Sequence, residues 1–394
     1  MTPSIRSIET AVPATTLKQP EVRDIFATQP GVSRLGRRLI HAVFDASAID
    51  TRHTVISELG GPGLADAVDD QPGGAPALFF DSASGAVLAP STGARNAFYA
   101  RHAPDLFLAA ARRALAAAYG IEATDVSHVV TVSCTGFYAP GPDFEIVRDL
   151  GLRSSTQRYH LGFMGCYGAF PALRAARAFC QADPSAVVLV VCVELCSIHL
   201  HSADDADRIL SSSVFADGAA AAVVSARPPA AGETVLTLDA FETALAPAGE
   251  TDMAWTIGDT GFDMTLSSYV PKIISAHLRD ALAPLLAVEA TVAERPAVIE
   301  HWAVHPGGRS ILDRVQRSLE LSDAQLEPSR EVLREFGNMS SATVLFVLRR
   351  ILHGGSAQGA DTSKRSPSSP ERVCAMAFGP GLTVESALMT RRVG

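Results

Sequence analysis

The run "AVVLVVCVEL", residues 186–195, limits the fold of this chain more than any other feature. It is far short of the roughly 20 apolar residues of a membrane-spanning helix. As a strand it is apolar on both faces, so both faces must be covered. That requires layers of helix on either side of a sheet, and a chain long enough to supply them. The 394 residues, 47% hydrophobic and 19% charged, are sufficient for two domains or one large layered fold.

The neighbouring stretches fit such layers. Periodicity predicts a helix over 105–120 with Gly120 as its stop, a strand over 126–134 and a helix over 169–180. The stretches 217–226 and 234–243 read as strands lying side by side. The second half repeats the rhythm: helix 268–287, strand 296–305, helices 307–319 and 338–353, then strand, Gly-Pro-Gly turn and strand over 372–390. The alternation predicts an α/β fold. The repeated order predicts an internal duplication with its seam at "RPPAAGE" (227–233), giving halves 1–230 and 231–394. Two stretches rich in Gly, Ser, Pro and Asp, 57–76 and 354–372, read as surface insertions.

Several function classes are disfavoured. The net charge of −9 and the lack of a basic run argue against nucleic acid. The N-terminal "MTPSIRSIETAVPATTL" lacks the basic start and apolar core of a signal peptide. Cysteines at 134, 166, 180, 192, 196 and 374 form no CxxC pair, so no metal site is expected. They suit reduced thiols in a cytoplasmic protein, mostly as core filler.

One cysteine stands apart. "LGFMGCYGAF" (161–170) sets Cys166 among glycines at a strand-to-helix turn. A helix N-terminus favours thiolate, and glycines let a substrate carbonyl come close. The plain alternative is a small buried residue. A nucleophile needs a base and an oxyanion donor. In "HWAVHPGGRSIL", His305 sits at a strand's end before a turn, while His301 reads as a core histidine. In "EFGNMSSATVLF", Asn338 reads as a neutral donor or as a helix cap.

Together, "FMGCYGAFPAL", "HWAVHPGGRSIL", "FGNMSSATVLFVL" and "FGPGLTVES" resemble the type III polyketide synthases, the chalcone-synthase-like branch of the thiolase superfamily. The resemblance runs from about "AVPATTL" to the C-terminus. It implies a thiolase-like, five-layered αβαβα fold with internal duplication, and a homodimer. It implies an acyltransferase that condenses malonyl-CoA units onto an acyl-CoA starter and cyclises the product to a pyrone, resorcinol or phloroglucinol. No cofactor is implied beyond coenzyme A thioesters as substrates. By the same resemblance Cys166 is the nucleophile, and His305 and Asn338 are the catalytic histidine and asparagine. Phe215 and Phe262 are the gatekeepers, Gly307 and Ser340 lie in the two catalytic motifs, and Phe378, Gly379 and Pro380 shape the cavity floor.

The chain also departs from the plant pattern. "LIHAVFDASAIDTRH" lacks most of the basic residues that meet CoA phosphates, which leaves Arg37, Arg38, Arg52 and Arg309 as candidates. Cys134, Cys196 and His199 occupy threonine-type pocket positions, Met253 replaces a glycine, and Ala139 replaces a methionine that reaches across the dimer. Chalcone itself is therefore not expected, and "GFMGCY" is closer to bacterial members. Cys134 reads as a pocket-lining residue in preference to a redox partner of Cys166. The nearest rival is a ketoacyl synthase III-like single condensation using acyl carrier protein. A non-catalytic thiolase-fold subunit and a cysteine hydrolase are more distant ones.

Overall fold

The computed structural model describes residues 2–60, 77–202, 204–267, 269–354 and 369–394. Most of both expected insertions lies outside the described residues. The described part of the first opens with a short 3-10 turn, Ser57–Gly60.

Nine strands make one mixed sheet: β1 Ser4–Ala11, β2 His128–Ser133, β3 Gln157–Gly162, β4 Val187–Leu195, β5 Asp217–Ser225, β6 Thr234–Leu245, β7 His301–Val304, β8 Glu371–Gly379 and β9 Thr383–Val393. Their order is β7-β8-β9-β6-β1-β5-β4-β2-β3. The order shows the duplication. In the first half the first strand pairs antiparallel with the last (β1 with β5), the last with the one before it (β4), and that one runs parallel to the second (β2). In the second half β6, β9, β8 and β7 repeat those pairings and directions. Only the edge strand β3 has no counterpart among the described residues.

The principal helices are α1 Gln19–Ala27, α2 Arg34–Asp45, α3 Thr92–Ala117, α4 Pro142–Asp149, α5 Ala169–Ala182, α6 Ala206–Val214, α7 Val270–Leu286, α8 Arg309–Leu319, α9 Asp323–Phe336 and α10 Thr343–His353. They form three of the five layers. Val188, Val190 and Cys192 of β4 pack with Phe170 and Leu173 of α5, Val344 and Leu348 of α10, and Val373 and Ala375 of β8. The alternate residues of β4, Val187, Leu189 and Val191, face Phe107 of α3 and Ile146 of α4. On the far side, Cys374 and Met376 of β8 pack with Leu278 of α7, Leu312 of α8 and Leu326 of α9. Each buried Val or Leu contributes about 1.5–3 kcal/mol, so an all-apolar strand belongs between two helical layers. The run at 186–195 takes that place.

Some expectations are corrected. The strands at 217–226 and 234–243 are not neighbours, because β1 lies between them. β1 pairs with β5 from Ser4↔Ser225 to Ala11↔Ala219 and meets β6 only at Ser4↔Thr237 and Ile5↔Leu236. That short contact joins the two half-sheets. The helix expected to start at 105 begins at Thr92, where the Ser91 hydroxyl accepts from the Ala94 N–H as an N-cap. The strand expected over 296–305 is pared to His301–Val304, behind a 3-10 turn at Pro296–Val298. Residues 338–342 are not helical α, since a 3-10 turn at Ser340–Ala342 precedes α10.

Candidate active site

Cys166 sits in the 3-10 turn Gly165–Tyr167, between β3 and α5. Gly165 and Gly379 let two turns of the chain approach closely. Gly165 has φ +67, and a Cβ on it would come within 2.5 Å of Pro380 Cδ. A Cβ on Gly379 would come within 2.4 Å of Tyr167 Cδ1. These two glycines admit the Pro380 turn against the cysteine turn, and Gly165 also lines the cavity. For the same reason Gly379 is pressed beneath Tyr167 and does not line the cavity, a correction to its expected role.

His305 follows β7, with its N–H bonded to Met376 O at 2.8 Å. Its ring is buried, and neither ring nitrogen has a hydrogen-bond partner among the described residues. Burial pulls this imidazole down to about 3. Asn338 is locked to the segment around Phe215: its N–H donates to Val214 O at 2.8 Å and its C=O accepts from Ala216 N at 2.9 Å. Its Oδ1 accepts the Ser340 N–H at 2.9 Å, while Nδ2 points to Gly307 O at 3.4 Å. The carboxamide oxygen thus holds the first residue of the 3-10 turn Ser340–Ala342, and the N–H side turns toward Gly307.

Cys166, His305 and Asn338 line one mostly apolar cavity of about 610 Å³. Phe215, Phe262, Cys134, Cys196, His199, Met253, Gly307, Ser340, Phe378 and Pro380 line it too. Burial pushes the Cys166 thiol up to about 11; Glu194 adds to the push, while Ser340 and Asn338 pull against it. The helix-terminal setting therefore does not by itself yield a thiolate. Ser340 also stands 3.5 Å from Cys134 Sγ through its hydroxyl. All six cysteines are free.

The basic candidates divide. Arg309 lines the cavity and pairs with Asp313 at 3.6 Å. Arg37 and Arg38 are exposed on α2, which sends Ala42 and Val43 to the cavity instead. Arg52 is buried and donates to Ser212 O at 2.7 Å and Phe215 O at 2.8 Å, so it braces the segment Ser212–Phe215 rather than meeting solvent. His301 is a core histidine as expected, 3.0 Å from Glu371.

Sequence reasoning missed Arg208 and Arg314, which line the cavity, and Glu194 beneath it. Glu194 accepts from Cys134 N–H and Thr135 O–H at 2.9 Å and from Ser341 O–H at 2.5 Å. A signal existed: it is the one acid in the apolar run 186–195.

Comparison with known proteins settles the family. The models described as chalcone and stilbene synthases, N-terminal and C-terminal domains, match residues 77–228 and 238–393. The chain belongs to the chalcone-synthase-like type III polyketide synthases. This chain is 31% identical over 289 residues, 73% of its length, to a "Probable polyketide synthase 1" of Dictyostelium discoideum. It spans only 9% of that relative. The C-terminal type III polyketide synthase domain of Steely1, a type I/III hybrid from Dictyostelium, aligns over 100% of both chains with a TM-score of 0.84 and 26% identity. PKS-I of the brown alga Ectocarpus siliculosus aligns over 100% of this synthase and 98% of its own chain, with a TM-score of 0.85 and 29% identity. The 1,3,6,8-tetrahydroxynaphthalene synthase of Streptomyces coelicolor A3(2) aligns over 99% and 100%, with a TM-score of 0.79 and 27% identity. With the fold described above, these neighbours place the synthase in the thiolase-like αβαβα architecture.

Proposed function

We propose that this synthase extends an acyl-CoA starter by repeated decarboxylative condensation with malonyl-CoA, then cyclises the product to a pyrone, resorcinol or phloroglucinol. Residues 1–230 form the half that carries Cys166, and residues 231–394 the half that carries His305 and Asn338. One observation carries the reading: three side chains from distant chain positions face one apolar cavity, with the Asn338 carboxamide held by the Ser340 N–H.

Cys166 Sγ attacks the starter thioester carbon, forming one C–S bond as the bond to CoA breaks. His305 takes the thiol proton and passes it to the departing thiolate. Neither ion is comfortable alone in this cavity, so charge develops on both groups together. Malonyl-CoA then sets its thioester oxygen against Asn338 Nδ2–H and, in the Nε2–H tautomer, His305. The bond to the carboxylate breaks, carbon dioxide leaves, and the electron pair becomes an enolate held by those donors. The enolate carbon attacks the acyl carbon on Cys166 and releases the sulfur. Phe215 and Phe262 narrow the way between the CoA arm and the cavity and keep water from the enolate. These steps draw only on side chains and CoA thioesters.

The synthase acts as a homodimer. The edge strand β3 pairs with β2 alone among the described residues, and exposed Phe137, Phe144, Tyr159 and Phe163 lie around it. A cytoplasmic setting fits six free thiols. No helix of the described residues is long and apolar enough to cross a membrane.

The test is a panel of short, medium, long and aromatic acyl-CoA starters with malonyl-CoA, read by carbon dioxide release and mass spectrometry. Products longer by two-carbon steps, lost in Cys166→Ala, are expected. A single condensation that requires malonyl carrier protein would overturn the reading.

A further inference from the structure

The hairpin Met253–Gly258/Gly261–Leu266 stands apart from the main sheet as a two-stranded ribbon. It nevertheless supplies Met253, Trp255, Phe262 and Met264 to the cavity wall. The shape of that wall depends on what ties the ribbon to the body of the protein.

His199 makes the central tie. It lies in the 3-10 turn Cys196–His199 that follows β4, and it is buried. Its Nε2 lies 2.7 Å from Thr135 O, and its Nδ1 lies 3.0 Å from Phe262 N. Thr135 O can only accept and Phe262 N–H can only donate. The ring is therefore neutral, with its hydrogen on Nε2 and a bare lone pair on Nδ1. Burial likewise favours the neutral ring. The ring face stacks on Phe262 at 4.2 Å and 12°, and its edge meets Trp255 at 5.6 Å and 87°. Trp255 Nε1–H in turn donates to Cys134 O at 2.7 Å. One imidazole thus uses both nitrogens and one face to join the turn after β4, the loop after β2 and the ribbon.

We infer that His199 is a positioning residue that sets starter selectivity by pinning the Phe262 ribbon against the Cys134–Thr135 loop. Its hydrogen-bonding capacity is spent on that clamp, leaving none for a substrate. The inference about selectivity rests on the proposed synthase activity, whereas the clamp itself does not.

The test uses His199→Phe, which keeps an aromatic ring and removes both hydrogen bonds, and His199→Asn, whose Oδ1 can still accept the Phe262 N–H. The chain has two tryptophans, and Trp302 is fully buried on β7, so acrylamide quenching reports Trp255. His199→Phe is expected to raise that quenching. It should also shift the kcat/KM ratio between a short and a long starter by about tenfold, on the scale of one lost buried hydrogen bond. His199→Asn should restore part of both effects, which a purely space-filling histidine would not show. Unchanged quenching in both variants overturns the clamp, whatever the starters do. Raised quenching with an unchanged starter ratio overturns the selectivity role. If the native protein extends no starter, the proposed function fails while the quenching still decides the clamp. If His199→Phe does not fold, His199→Asn alone decides: quenching raised above native together with a shifted starter ratio supports the inference, and native values overturn it.

Discussion

The proposed proton exchange between Cys166 and His305 can be tested by removing the imidazole. In His305→Gln the sulfur keeps its buried surroundings and the nearby Glu194 charge, and no cation can form beside it. Those surroundings raise the thiol from 9.0 to about 11, and a neutral His305 contributes nothing to that rise. A thiol at 11 is ionised about one part in 10,000 at pH 7, against about one in 100 for an ordinary thiol at 9. Since only thiolate is alkylated, iodoacetamide should label Cys166 in the variant about 100-fold more slowly than an ordinary thiol at pH 7. The sign follows from burial favouring the neutral form: labelling rises about tenfold per pH unit and levels only near pH 11. Under the proposed proton exchange, the imidazole of the native protein accepts the proton, the two charges offset each other's burial, and the pair titrates as a unit. Native Cys166 should therefore label faster at pH 7 than the variant. The assay is peptide mass spectrometry of the Cys166 adduct over pH 6.5–9.5, which separates it from the other five cysteines. A variant rate that is flat with pH, or equal to the native rate at pH 7, would refute the reasoning.

Further perturbations follow from the same geometry. Asn338→Ala removes the oriented carboxamide and should cut malonyl-CoA decarboxylation about 100- to 1,000-fold, read as carbon dioxide release. Gly165→Ala must place a Cβ at positive φ against Pro380, and should lower stability by about 2–3 kcal/mol in a denaturant melt; a native-like melt would show that the turn has room. Glu194→Gln sets an amide among N–H and O–H donors, and should cost about 1–3 kcal/mol by the same measurement while easing Cys166 ionisation in alkylation.

What could be read from the chain, and what could not, divides along one physical line. Periodicity records how many faces of a segment are buried, so the two-sided strand at 187–195, the helices that flank it and the repeated order were all legible. The four motifs carried Cys166, His305 and Asn338, because their spacing matches a family pattern even though each residue alone has a plainer reading. Which segments become neighbours is a long-range matter that local patterning does not encode. Hence β1 between β5 and β6, Pro380 against Gly165, and Arg52 turned inward to brace Phe215 emerged only in three dimensions. Proton positions belong to the same class. The states of Cys166, His305 and His199 are set by desolvation and by partners that come from remote parts of the chain, and a linear string holds neither.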